Sequence, residues 1–85
     1  MYFVVFTRSA IKELESLPSH EIGKIIRKIE ALSINPRPSG VKKIAGKLDL
    51  WRIRSGNYRI IYSIRDEKLV VEIIRIRHRK EVYKK

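Results

Sequence analysis

The hydrophobic period of this chain changes at Leu50. Before it, Ile22, Ile25, Ile26, Ile29 and Leu32 recur at helical spacing and form one apolar stripe. After it, apolar and polar residues alternate over Leu50 to Arg54, Tyr58 to Ile64 and Leu69 to Ile76, the period of strands. Ser55-Gly56-Asn57 and Arg65-Asp66-Glu67-Lys68 have the length and composition of hairpin connections, so these strands form a meander.

The remaining elements follow from local chemistry. Tyr2 to Phe6 is aromatic and β-branched, the signature of a buried strand. Thr7 and Ser9 suit a helix N-cap, and Ala10, Leu14 and Leu17 continue at helical spacing, with Lys12, Glu13 and Glu15 outward, as far as Pro18. Ser19 is expected to cap the second helix, and the short break makes the pair a helical hairpin. Asn35-Pro36-Arg37-Pro38-Ser39-Gly40 stops that helix and opens a connection carrying Lys42, Lys43, Gly46 and Lys47. The order β-α-α-β-β-β predicts a single α+β domain over residues 1–85, its helical hairpin packed on one face of a mostly antiparallel four-stranded sheet.

Alternation then decides where the cations go. Trp51 and Ile53 face one way and Arg52 and Arg54 the other. Tyr58, Ile60, Tyr62 and Ile64 share a face, opposite Arg59 and Ser63. In the last strand Arg75 and Arg77 lie opposite Val70, Ile74 and Ile76, although Glu72 breaks that pattern. The hairpin covers one sheet face, so the other is expected to carry Arg52, Arg54, Arg59, Arg75 and Arg77. Glu72, Asp66 and Glu67 are too few to pair them all. A like-charge cluster destabilises the fold unless an anion neutralises it, and the planar guanidinium fork suits phosphate.

Composition agrees. Twenty Lys and Arg against nine Asp and Glu give a net charge of +11, which implies an acidic partner. There is no cysteine, hence no disulfide framework or thiolate nucleophile, as fits a cytoplasmic protein. No apolar run reaches the roughly 20 residues of a membrane span. Two distant histidines and scattered acids exclude a zinc site and the carboxylate set of a two-metal nuclease, and no Gly-rich phosphate loop is present. No metal and no cofactor are expected.

Phosphodiester chemistry on such a surface needs arginines for charge and an internal nucleophile such as the RNA 2′-OH, a group DNA lacks. Two residues near the C-terminus could move the proton. Arg77 and Arg79 flank His78 and favour its neutral ring, the form that acts as a base. Cationic neighbours favour the phenolate of Tyr83. His20 reads as structural.

Lys43-Ile44-Ala45-Gly46, Trp51-Arg52-Ile53-Arg54, Gly56-Asn57-Tyr58-Arg59-Ile60-Ile61-Tyr62 and the terminal His78-Arg79-Lys80-Glu81-Val82-Tyr83 together resemble the RelE/ParE superfamily of toxins from type II toxin–antitoxin pairs. The resemblance implies a RelE-like microbial ribonuclease fold and, on the RelE-like branch, cleavage of mRNA in the ribosomal A site. It implies transition-state stabilisation by Arg59 and catalytic roles for Arg77 and for Arg52 and Arg54, which stand where that branch has lysines. Arginine is a poor base, so Arg52 and Arg54 would stabilise charge rather than move protons. Tyr83 matches a tyrosine that stacks on the cleaved nucleotide, and His78 a histidine that serves some relatives as acid or base. Lys42, Lys43, Lys47, Arg75 and Arg79 are the expected RNA contacts. An acidic antitoxin, the ribosome and mRNA are the implied partners. The ParE-like alternative keeps the fold and binds DNA gyrase without cutting RNA. A third reading is an inactive relic that only binds its antitoxin.

Overall fold

The computed structural model describes residues 1–44, 46 and 49–82. The chain runs β1 (Phe3–Phe6), α1 (Arg8–Glu15), α2 (Ser19–Ile34), β2 (Lys42–Lys43), β3 (Leu50–Ser55), β4 (Tyr58–Arg65), β5 (Val70–His78) and α3 (Arg79–Val82). The sheet has five strands rather than the expected four, in the order β1-β5-β4-β3-β2. The extra strand is β2, two residues paired antiparallel to β3 inside the predicted loop and too short to show a period. The sheet is mixed, because β1 lies parallel to β5 while the meander is antiparallel. No helix among the described residues is long and apolar enough to cross a membrane.

Capping chemistry fixes α1 against the sheet. The Thr7 hydroxyl accepts from the Ala10 N–H at 3.1 Å and donates to the Ile74 carbonyl at 2.8 Å, so one side chain starts the helix and ties it to β5. Ser19 does not cap α2 as expected. Pro18 holds the cap position without a side-chain bond, and its carbonyl accepts from the N–H groups of Glu21 and Ile22. Glu21 in the first turn complements the helix dipole. At the β3–β4 hairpin the two-residue turn requires φ +59° at Gly56, a conformation glycine adopts without steric cost. Leu69, expected in the last strand, instead ends the β4–β5 turn at φ +55°.

The register of β4 against β5 slips once. Ile61 pairs with Arg75 and Tyr62 with Ile73, leaving Ile74 as the extra residue of a bulge. Val71 and Ile73 before the bulge and Ile76 after it therefore all reach the core, with Ile53, Ile60, Tyr62 and Ile64 from the other strands. Ala10, Ile25, Ile29 and Leu32 meet them from the helices. Val70 and Ile74 do not share the face of Ile76 as the uninterrupted period had suggested, because the bulge resets the alternation.

Two polar ties close the far end of the sheet. Arg37 makes a bidentate pair with Asp66, Nη2 at 2.8 Å and Nη1 at 3.2 Å, and the Tyr2 hydroxyl donates to the same carboxylate at 2.7 Å. These bonds hold the Asp66 carboxyl down at about 2 and push the Tyr2 phenol up. Buried Tyr62 donates to the Pro36 carbonyl at 2.7 Å, which pins the loop after α2 to the core. Burial raises its phenol to about 12. The unfolded phenol ionises near its ordinary value of 10.0, so the Tyr62 contribution is intact below that pH and is lost as pH rises towards about 12. Tyr62→Phe is expected to cost about 1–2 kcal/mol at neutral pH and to remove this alkaline component. Thermal unfolding followed from neutral to alkaline pH checks both.

Candidate functional site

The strand register assembles the cations in rows on the face away from the helices. Arg54 pairs with Arg59 and Arg59 with Arg77, so three arginines stand side by side across three strands. The next row along carries Lys42, Arg52, Ile61 and Arg75. Gly40, Lys42, Arg52, Arg54 and Arg59 line a cleft of about 170 Å³. Gly40 comes from the loop after α2 and lets the backbone form a wall of the cleft at φ +90°.

These cations are not compensated alike. Among the described residues Arg52, Arg54 and Arg59 have no ion pair, and Arg54 Nε donates only to the Gly56 carbonyl at 3.3 Å. Arg59 Nη1 is buried and has no hydrogen-bond partner among the described residues. A buried donor of this kind needs an acceptor. Like charges aligned side by side on neighbouring strands also repel one another. An anion in the cleft would relieve both costs.

Arg75 and Arg77 are different. Glu13 of α1 places Oε2 at 3.3 Å from Arg77 Nε and 3.5 Å from Arg75 Nε, while its Oε1 accepts from the Ile76 N–H at 2.8 Å. The acid that pairs these arginines is thus none of Glu72, Asp66 or Glu67, and Glu13 is not turned outward as expected. The signal was present in the sequence. Ala10, Glu13, Leu14 and Leu17 sit at i, i+3, i+4 and i+7, so Glu13 occupies a place in the buried stripe of α1.

Other expected site residues fall elsewhere. His78 belongs to the row Ser55–Tyr58–His78 on the helix-facing side of the sheet, one residue out of phase with Arg77. Its ring meets Tyr58 edge-on with centroids 5.4 Å apart, and its Nδ1 accepts from the Lys80 N–H at 3.2 Å. That bond requires a neutral Nδ1 and leaves Nε2 as the other ring position. Lys43 is turned from the cleft by strand alternation, and its Nζ lies 5.6 Å from the centroid of the Trp51 ring, which Arg37 approaches to 5.3 Å. Arg79 is exposed at the start of α3, its N–H held by the Asn57 carbonyl at 2.6 Å. Tyr83 and Lys47 lie outside the described residues.

Fold and cleft together define a small α+β domain with an arginine-lined cleft on its uncovered sheet face. The family profile described as the ParE toxin of type II toxin–antitoxin systems, parDE, matches residues 4–83. The mRNA interferase toxin RelE of Escherichia coli K12 is 36% identical over 86 residues, covering 96% of this chain and 90% of its own. Toxin RelE3 of Methanocaldococcus jannaschii is 33% identical over 84 residues, covering 94% and 93%. Among solved structures, the archaeal RelE–RelB complex from Pyrococcus horikoshii superimposes with a TM-score of 0.82 at 31% identity, over 92% of this chain and 94% of the other. The intact E. coli RelBE toxin–antitoxin complex gives 0.79 at 33% identity, over 89% and 94%. The chain belongs to the RelE/ParE family of type II toxin–antitoxin toxins.

A cleft built from uncompensated cations costs stability in the absence of its ligand. Arg54→Gln is expected to raise the melting temperature of the free protein at low salt by a few degrees, equivalent to about 0.5–1 kcal/mol. The gain should vanish near 1 M salt, where the screening length is about 3 Å. Scanning calorimetry at two ionic strengths measures it, and no gain at low salt would mean that the cluster is not strained.

Proposed function

We propose that this protein is the toxin of a type II toxin–antitoxin pair and an endoribonuclease that cleaves mRNA on the ribosome. One observation carries the reading: the cleft gathers Arg52, Arg54 and Arg59, without acid partners among the described residues, around a buried, unpartnered Arg59 Nη1. Identity of 36% to a protein named mRNA interferase toxin RelE supports the same conclusion.

The mechanism follows from what each side chain offers. The scissile phosphate lies in the cleft, where Lys42, Arg52 and Arg54 bind its non-bridging oxygens. A base in the C-terminal segment, where His78 and Tyr83 stand, takes the proton of the 2′-OH. The 2′-oxygen bonds to phosphorus, and the bond to the 5′-oxygen breaks. That oxygen takes up a proton, leaving a 2′,3′-cyclic phosphate and a free 5′-hydroxyl. Arg59, with Arg77, stabilises the charge on the five-coordinate phosphorus. Tyr83 stacks on a base of the splayed strand, and Lys47, Arg75 and Arg79 add phosphate contacts. Lys43, packed on Trp51, contributes less. Solved relatives are RelE–RelB complexes, and the +11 charge suits an acidic antitoxin, which on this reading covers the arginine face.

Primer extension on mRNA from programmed ribosomes, beside naked RNA, tests the reading. Cuts within the A-site codon that need ribosomes are the expected result. Arg59→Ala should lower kcat by about 10²–10³-fold, far more than loss of Lys42. No cuts, or equal and modest losses at both positions, would turn the arginine face into a binding surface of the ParE-like kind.

A further inference from the structure

Among the described residues Glu13 is the one acid paired with Arg75 and Arg77, and its contacts are specific. Its Oε1 is fixed by a backbone donor, the Ile76 N–H at 2.8 Å, on the edge of β5 that β1 leaves uncovered. Its Oε2 meets both arginines at Nε, 3.3 Å from Arg77 and 3.5 Å from Arg75. The carboxylate is only 25% exposed, and α1 behind it is anchored to β5 through Thr7. Two rigid elements therefore hold the anion, and the arginines come to it.

Contact through Nε has a chemical consequence. A guanidinium carries its five donors on three nitrogens, and an acceptor at Nε orients the plane while leaving both terminal nitrogens uncommitted. Arg77 shares a row with Arg59 and Arg54, so its free end belongs to the same cationic surface as the cleft. An exposed arginine would have to give up its rotamer freedom when the phosphate arrives, whereas one held at Nε has already lost it.

Resting on the ribonuclease reading above, we infer that Glu13 is a positioning residue that holds Arg77, and secondarily Arg75, by Nε so that their terminal nitrogens are presented to the transition state. It does not touch substrate. Its anion also offsets part of the repulsion that Arg77 adds to Arg59.

Glu13→Gln separates this role from a structural one. The amide oxygen still accepts from the Ile76 N–H, so the edge of β5 stays closed, but the NH₂ group that replaces Oε2 is a donor and cannot accept from Nε. Single-turnover cleavage on programmed ribosomes should show kcat falling about 10-fold with KM within about twofold, because orientation is lost and the phosphate contacts remain. Thermal stability should change less than in Glu13→Ala, which also loses the backbone bond. In the ¹⁵N spectrum of the protein alone, Nε–Hε signals of Arg77 and Arg75 should be protected from exchange, and that protection should disappear in Glu13→Gln.

An unchanged or increased kcat in Glu13→Gln would overturn the inference, an increase meaning that Glu13 holds the arginines away from substrate. So would Nε–Hε signals unprotected in the wild type. If the wild type cuts no RNA, the ribonuclease reading and the catalytic purpose assigned to Glu13 fail together, while protected signals lost in Glu13→Gln would still establish the contact itself.

Discussion

The bulge at Ile74 is the constraint on which the rest of the sheet depends. An uninterrupted β5 would put Glu72, Ile74 and Ile76 on one face and Val71 and Ile73 on the other. Either Glu72 would enter the core or Ile76 would leave it. One extra residue lets Val71, Ile73 and Ile76 all pack inward, opposite Ile64, Tyr62 and Ile60. The same slip delivers Glu72, Arg75 and Arg77 to the uncovered face. Core and cationic surface are two consequences of one irregularity. The bulge lies where β1 stops pairing with β5, and Thr7 and Glu13 occupy the stretch of edge beyond it.

The uncovered face consequently has two electrostatic halves. On β5, Arg75 and Arg77 share an acid from α1 and are compatible with a stable free protein. On β2, β3 and β4, Lys42, Arg52, Arg54 and Arg59 have no ion pair among the described residues. A surface evolved only for solubility would have no reason to align cations strand to strand, where repulsion is greatest. Net charge acts at long range, whereas the aligned row concentrates positive potential at one place on the sheet. At the other end of the sheet Arg37, by contrast, is paired in a bidentate way with Asp66, which also accepts from Tyr2.

Much of this was legible in the sequence because the physics behind it is periodic. Alternation around Arg52, Arg54 and Arg59 put them on one face, and helical spacing from Ile22 to Leu32 identified the helix that covers the other. What was not legible depended on contacts between distant segments. The two-residue strand at Lys42 exists only because β3 offers it an edge. The parallel pairing of β1 with β5 joins opposite ends of the chain, and no local pattern encodes it. Glu13 fills a place in an apolar stripe, but its partners lie more than sixty residues away, so local spacing alone does not disclose them. His78 was grouped with Arg77 by adjacency, yet adjacency on a strand means opposite faces.

That last point shapes the chemistry. Arginine stays charged at any working pH, so a row of arginines stabilises an anion well and transfers protons poorly. On the ribonuclease reading proposed above, the sheet supplies charge and proton transfer comes from elsewhere. The described part of the C-terminal segment starts at that end of the sheet. Tyr58 and His78 pair in the row next to Arg59 and Arg77, and the Arg79 N–H is held by the Asn57 carbonyl of the β3–β4 turn. The segment therefore leaves β5 beside the arginine row, with its root fixed by the hairpin. His78 ends β5 on the core side of that row, so the sheet itself separates the permanent charges of Arg59 and Arg77 from the imidazole that packs on Tyr58.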